Sequence, residues 1–188
     1  GSIVFDGMNY NDIEITSLRR LIGYVTQESV NFNDTIANNI SFWESDFAEL
    51  PGRRKIINAA ELANCKSFIE GTDRGYETVI GDKGVKLSGG QRQRISIARE
   101  LFKEPEIMMF DEATSSLDSE SEHYIQESID NMRGKRTIVI IAHRLSTIRK
   151  CDHIYVLKEG EIVEEGGFDE LSTRKNSVFF KMCQIQKL

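Results

Sequence analysis

Ile107-Met108-Met109-Phe110-Asp111-Glu112 is the stretch on which the fold turns. Its four apolar residues show none of the alternation of a half-wet strand, so they predict a central parallel strand covered on both faces. A second run of the same kind, Ile138-Val139-Ile140-Ile141, lies downstream, and shorter strand-like runs occur at Ile3–Phe5, Ile22–Thr26, Ile154–Leu157 and Glu161–Val163. Helical patterns between several of these runs make the chain α/β with a parallel sheet.

Working outward, residues 46–72 carry an apolar stripe at helical spacing (Ile56, Ile57, Ala60, Leu62, Ala63, Phe68, Ile69), which predicts a small helical subdomain. Asp118 is placed to cap a helix, with Glu120 and Glu122 in its first turn, Ile125, Ile129 and Met132 on its apolar face, and Gly134 at its end. From Phe168 to Leu188 the pattern is mostly helical. No internal repeat and no turn-rich linker interrupts the chain, so one domain is expected.

Composition narrows the function. The 188 residues are 39% hydrophobic, too apolar for a disordered chain and enough for one sizeable core. The longest apolar run, Ile138–Ala142, is far short of the roughly 20 residues of a membrane helix, so no span is expected. With 24 Lys+Arg against 30 Asp+Glu, the net charge of −6 argues against a general nucleic-acid surface; any phosphate binding must be local. Cys65, Cys151 and Cys183 form no CxxC pair and read as free thiols of a reducing compartment.

The densest chemical signal is Gly84-Val85-Lys86-Leu87-Ser88-Gly89-Gly90-Gln91-Arg92-Gln93-Arg94, a Gly-rich turn entering a helix whose apolar face is Ile95, Ala98, Leu101 and Phe102. Ser88 brings a hydroxyl, Gly89 and Gly90 allow close backbone approach, and free amides with the helix dipole favour a phosphate. A plain helix cap would account for the Ser and one Gly, but not for the whole string. Asp111-Glu112 places two adjacent carboxylates at a strand end, where period 2 would point them apart. Such a pair suits one carboxylate for Mg²⁺ and one to orient an attacking water for phosphoryl transfer. Taken alone, it would equally be a strand end closed by solvated acids.

Leu87-Ser88-Gly89-Gly90-Gln91 resembles the signature motif of ABC-type ATPases, and the family's other motifs follow in its order. By that resemblance Asp111 is the Walker B metal residue and Glu112 the general base. Ala113-Thr114-Ser115-Ser116-Leu117-Asp118 resembles the D-loop, whose Asp reaches the partner subunit's nucleotide; Asp118 can do this and cap its helix too. Ala142-His143-Arg144 resembles the H-loop, making His143 the γ-phosphate contact. Gln27, after the strand Ile22–Thr26, matches the Q-loop glutamine, which touches metal or water and relays contact with the membrane domain. Tyr76–Gly84 resembles the segment before the signature in exporters, with Glu77 either facing a membrane-domain helix or lying on a charged surface loop. His123 and His153 read as ordinary surface histidines, and Phe42, Trp43 and Phe47 as a satellite core.

The resemblance covers nearly the whole chain and implies a P-loop NTPase-like ABC ATPase core, residues 1–45 and 105–188, with a helical subdomain over 46–104. It implies ATP and Mg²⁺ as ligands, a second nucleotide-binding domain as homo- or heterodimeric partner, a transmembrane domain, no nucleic acid, and a place on the cytoplasmic side of a membrane. The family's P-loop, G-x-x-x-x-G-K-[ST], is not in the sequence; Gly134-Lys135 is followed by Arg136 and is no hidden copy. The opening Gly1-Ser2-Ile3-Val4-Phe5-Asp6-Gly7 resembles the strand and turn after the P-loop helix, so a truncated domain, inactive by itself, is expected. A non-catalytic interaction fragment is the competing expectation, and a soluble ABC ATPase acting on DNA or the ribosome a third, for which no coiled-coil or basic insertion speaks.

Overall fold

The structure is a computed structural model that describes residues 1–114 and 117–186. Ser115 and Ser116 of the D-loop-like string and Leu188 of the tail lie outside the described residues. The chain forms two compact units, Gly1–Ile141 and Ala142–Leu188.

The first unit opens with a hairpin, β1 (Val4–Phe5) against β2 (Met8–Asn9). Its turn, Asp6-Gly7, has φ of 46° and 84°, both positive as a tight hairpin turn demands. The second of these strands is a pairing too short for periodicity to announce. α1 (Ile15–Leu21) follows, capped by the Glu14 carboxylate, which accepts from the Thr16 and Ser17 amides at 3.0 and 2.7 Å.

Next come β3 (Ile22–Val25), α2 (Ile36–Ser41), α3 (Leu50–Leu62), α4 (Lys66–Glu70) and α5 (Gly89–Phe102). The unit closes with β4 (Ile107–Asp111), α6 (Ser119–Met132) and β5 (Thr137–Ile141). The helical pattern over 46–72 is thus realised as α3 and α4. Ile56, Ala60, Ala63 and Ile69 are buried, and Asn64 turns the chain between the helices with φ 53°.

β3, β4 and β5 form a parallel sheet in that order, with Tyr24 opposite Met109 and Asp111 opposite Ile141. One face carries Val25, Met108, Phe110, Ile138 and Ile140, which join residues of α2, α3, α5 and α6 in a single core. Gly23 is required there: a Cβ would press on Met108 of the neighbouring strand and on Glu100 of α5. The opposite face carries Tyr24, Val139 and Ile141, 47, 43 and 51% exposed. The expectation that Ile138–Ile141 is covered on both faces therefore fails. α2, α3, α5 and α6 pack one side of the sheet, and a continuous apolar run does not reveal which side that is.

The second unit contains α7 (Leu145–Ile148), β6 (Ile154–Lys158), β7 (Glu161–Gly166), α8 (Phe168–Thr173) and α9 (Val178–Ile185). β6 and β7 pair antiparallel through Glu159-Gly160, again with two positive φ values, 55° and 83°. Leu145, Ile154, Val156, Leu171, Phe179 and Cys183 make its core. The Glu164 carboxylate receives the Val178 and Phe179 amides at 2.5 and 3.0 Å, seating the N-terminus of α9. Among the described residues, no helix is long and apolar enough to cross a membrane.

Candidate functional site

Parallel strands all end on one side, and the carboxyl edge of such a sheet is where ligands are met. Gln27 leaves β3 at that edge, exposed, and Asp111-Glu112 leaves β4 beside it. Asp111 Oδ2 accepts a hydrogen bond from the Tyr24 hydroxyl at 2.6 Å. Register explains the pairing: Tyr24 lies opposite Met109, so Asp111 is the next residue of β4 on the same face. That bond is the main reason the Tyr24 phenol is raised above its ordinary value and remains a donor.

Glu112 does not continue the strand alternation expected of it. Its φ is +51°, in the left-handed region that is uncommon for a residue with a side chain, and its N–H donates to Ile141 O at 2.9 Å. The direction of Glu112 is therefore set by a left-handed turn fastened to the end of β5, not by period 2.

Ser88 begins α5 with a full capping box. Its Oγ accepts from the Gln91 amide at 3.2 Å, and the Gln91 side chain accepts from the Ser88 amide at 2.9 Å. Gln91 thus holds the turn, while the amides of Gly89 and Gly90 belong to the first turn of a 14-residue helix and have no partner within it. Leu87 is buried beneath the turn at 8% exposure. α5 runs antiparallel to β3, with Glu100 receiving the Tyr24 amide at 3.3 Å and Gln93 donating to Thr26 O at 2.8 Å. Its N-terminus therefore projects past the carboxyl edge, on the side of Gln27, Asp111 and Glu112.

Two residues of α5 that periodicity does not single out anchor the loop after β3. Gln93, by its bond to Thr26 O, fixes the residue before Gln27. Arg99, 7% exposed, donates to Asn39 O and Val30 O at 2.7 Å each and to Asn39 Oδ1 at 3.2 Å. Their only sequence signal is a polar residue within an apolar helix, which reads equally as a solvent-facing position.

Asp118 caps α6 as its position suggests. Oδ1 and Oδ2 accept from the Ser121 amide and hydroxyl, each at 2.9 Å, and these bonds hold its carboxyl below the ordinary range. His143 belongs to the second unit, where its carbonyl accepts from Gln186 Nε2 at 2.8 Å and Gln186 Oε1 receives the Leu145 amide at 2.9 Å. Gln186 was not among the residues expected at the site. Phe42 and Trp43 meet Phe32 edge-to-face, and Phe47 stacks on Tyr76.

Among the described residues, no three His, Cys, Asp or Glu converge as a closed metal cage. One carboxylate, Asp111, and one amide, Gln27, at a sheet edge fit a cation that keeps most of its shell from water and phosphate oxygens, as Mg²⁺ does.

The geometry agrees with three comparisons. The chain matches the family described as ABC transporter over residues 1–115. It is 50% identical over 186 residues to an ATP-dependent lipid A-core flippase of Syntrophus aciditrophicus, covering 99% of this chain and 30% of that protein. It is 43% identical over 185 residues to ABC transporter B family member 21 of Arabidopsis thaliana, covering 98% of this chain and 14% of that one. Among solved structures, a bacterial Atm1-family ABC exporter with ATP bound superposes with a TM-score of 0.87 at 41% identity, covering all of this chain and 32% of the exporter. The chain thus spans a third or less of the relatives it matches. By its motifs in order, its parallel sheet and these matches, the chain belongs to the ABC transporter family.

Proposed function

We propose that the chain is most of the ATP-hydrolysing domain of an ABC exporter, which works a transmembrane domain from the cytoplasmic face of a membrane. The observation that carries this is the common edge on which Gln27, Asp111, Glu112 and the capped turn Ser88–Gln91 lie. The core is read as residues 1–45 and 105–188, and the helical subdomain, with α3, α4 and α5, as 46–104.

In this reading Asp111 and Gln27 hold Mg²⁺, which when bound offsets the charge of the ATP phosphates. Glu112 orients the attacking water and takes its proton, and His143 meets the γ-phosphate. Ser88, Gly89 and Gly90, over Leu87 and braced by Gln91, present a helix N-terminus to the phosphates of ATP held by a second such domain, whose nucleotide site Asp118 also reaches. Two copies, alike or different, are then needed for each site.

A second reading is favoured by one observation: the 188 residues hold no G-x-x-x-x-G-K-[ST] string. Taken alone, they would act as a binding module that lends a signature turn and Asp118 to a partner. Equilibrium binding of Mg·ATP to this chain and to one carrying a P-loop segment at its amino end separates the two. ATP held only by the extended chain supports the ATPase reading; tight binding by the 188 residues contradicts the placement of the phosphates.

A further inference from the structure

α5 and α6 meet at two places one turn apart. At the first, Gly90 lies so close to Ser121 that a Cβ on Gly90 would run into the Ser121 Oγ and Cβ. Ser121 is itself fastened, by both its amide and its hydroxyl, to the Asp118 carboxylate. The signature glycine and the capping aspartate are therefore separated by a single side chain.

At the second place, Arg94, 7% exposed, lies between the rings of Phe68 and Tyr124, 4.9 and 4.6 Å from their centroids. Its Nη1 donates to Asn64 O at 2.6 Å. Asn64 in turn donates to Tyr124 O at 3.0 Å and to Glu127 Oε2 and Ser128 Oγ at 3.2 Å each. Gly90 and Arg94 are four apart on α5, and Ser121, Tyr124 and Ser128 recur at intervals of three and four on α6, so each set lies on one helix face. The two contacts form one continuous seam.

We infer that this seam joins the Ser88–Gln91 turn and the Asp118 turn into one rigid element, with Arg94 and Tyr124 as positioning residues. It rests on the functional reading above, in which both turns act on the nucleotide of the other domain. A seam of this kind makes the two turns arrive together, and it makes glycine at position 90 a demand of Ser121 as well as of any phosphate.

The test uses the full-length protein. Tyr124→Phe keeps the ring that covers Arg94 and is expected to keep kcat within about twofold, whereas Tyr124→Ala lowers kcat about tenfold or more with KM for Mg·ATP changed less than about threefold. Amide hydrogen exchange, which does not depend on turnover, is expected to quicken in residues 88–92 and 119–122 together in Tyr124→Ala and in neither in Tyr124→Phe. Quickening of one turn alone, or equal kcat for Ala and Phe, overturns the seam.

If Tyr124→Ala does not fold, a second pair decides. Gly90→Ala is expected to quicken exchange in residues 88–92 and 119–122 together, and adding Ser121→Gly, which removes the two atoms nearest the new methyl, restores the exchange pattern of Ser121→Gly alone, whatever turnover the double variant keeps. No restoration overturns the seam. A wild-type protein that does not hydrolyse ATP defeats the functional reading instead, and the exchange pattern still decides the seam.

Discussion

The Tyr24 hydroxyl donates to Asp111 Oδ2 across β3 and β4, two residues 87 apart in sequence and 2.6 Å apart in space. One oxygen of the carboxylate is thereby occupied, and in the proposed reading Oδ1 is the one that faces the cation or its water shell. In the full-length protein, Tyr24→Phe is expected to raise the Mg²⁺ concentration for half-maximal ATP hydrolysis by about fivefold, the scale of one ordinary hydrogen bond of about 1 kcal/mol at an exposed site, with a smaller effect on kcat. Magnesium titration of the rate checks this, and an unchanged Mg²⁺ requirement would show that the bond plays no part in metal placement.

Arg99 closes the loop between β3 and α2 from beneath by holding Val30 O, Asn39 O and Asn39 Oδ1. Arg99→Met leaves buried acceptors without a donor and is expected to cost about 3 kcal/mol of stability. Arg99→Lys, with a point charge in place of a planar fork, should recover only part of that loss. Chemical denaturation of the three proteins measures the order, and equal midpoints would refute it.

Asp118 sets a pH dependence whose sign follows from its bonds. Its folded-state carboxyl lies below the ordinary 3.8 because the Ser121 amide, then the Ser121 hydroxyl, donate to it. The folded state therefore keeps the charge where the unfolded chain takes a proton. The stability gained is complete above the unfolded value and is lost as pH falls through the folded one. The difference in Tm between wild type and Asp118→Asn is expected to be constant above about pH 5 and to narrow as acid is added. A difference independent of pH over that range would contradict the role given to the charge.

Much of this architecture was legible from the residues. The runs at Ile22–Thr26 and Ile107–Phe110 and the helix after Asp118 all stand where apolar periodicity and capping chemistry put them, because each is a local property. What was not legible depends on contacts between distant segments. Periodicity finds the apolar face of α5 but gives no sign that Arg94 and Arg99 are buried among rings and carbonyls. Nor does it reveal that Tyr24 meets Asp111, since strand register joins them. Ile138–Ile141 reads as covered on both faces because a continuous apolar run does not say where helices pack. Glu112 reads as one more strand residue because its left-handed backbone is imposed by the bond to Ile141 O.

The most direct test of the account is Glu112→Gln in the full-length protein, with ATP binding and hydrolysis measured side by side. Gln keeps the size of the side chain but removes its charge and with it the capacity to take a proton. The account predicts Mg·ATP affinity within about threefold of wild type and a kcat lowered by about 10²–10³-fold, the scale of a lost general base. An unchanged kcat would contradict the assignment of Glu112 and, with it, the reaction proposed for the carboxyl edge of this sheet.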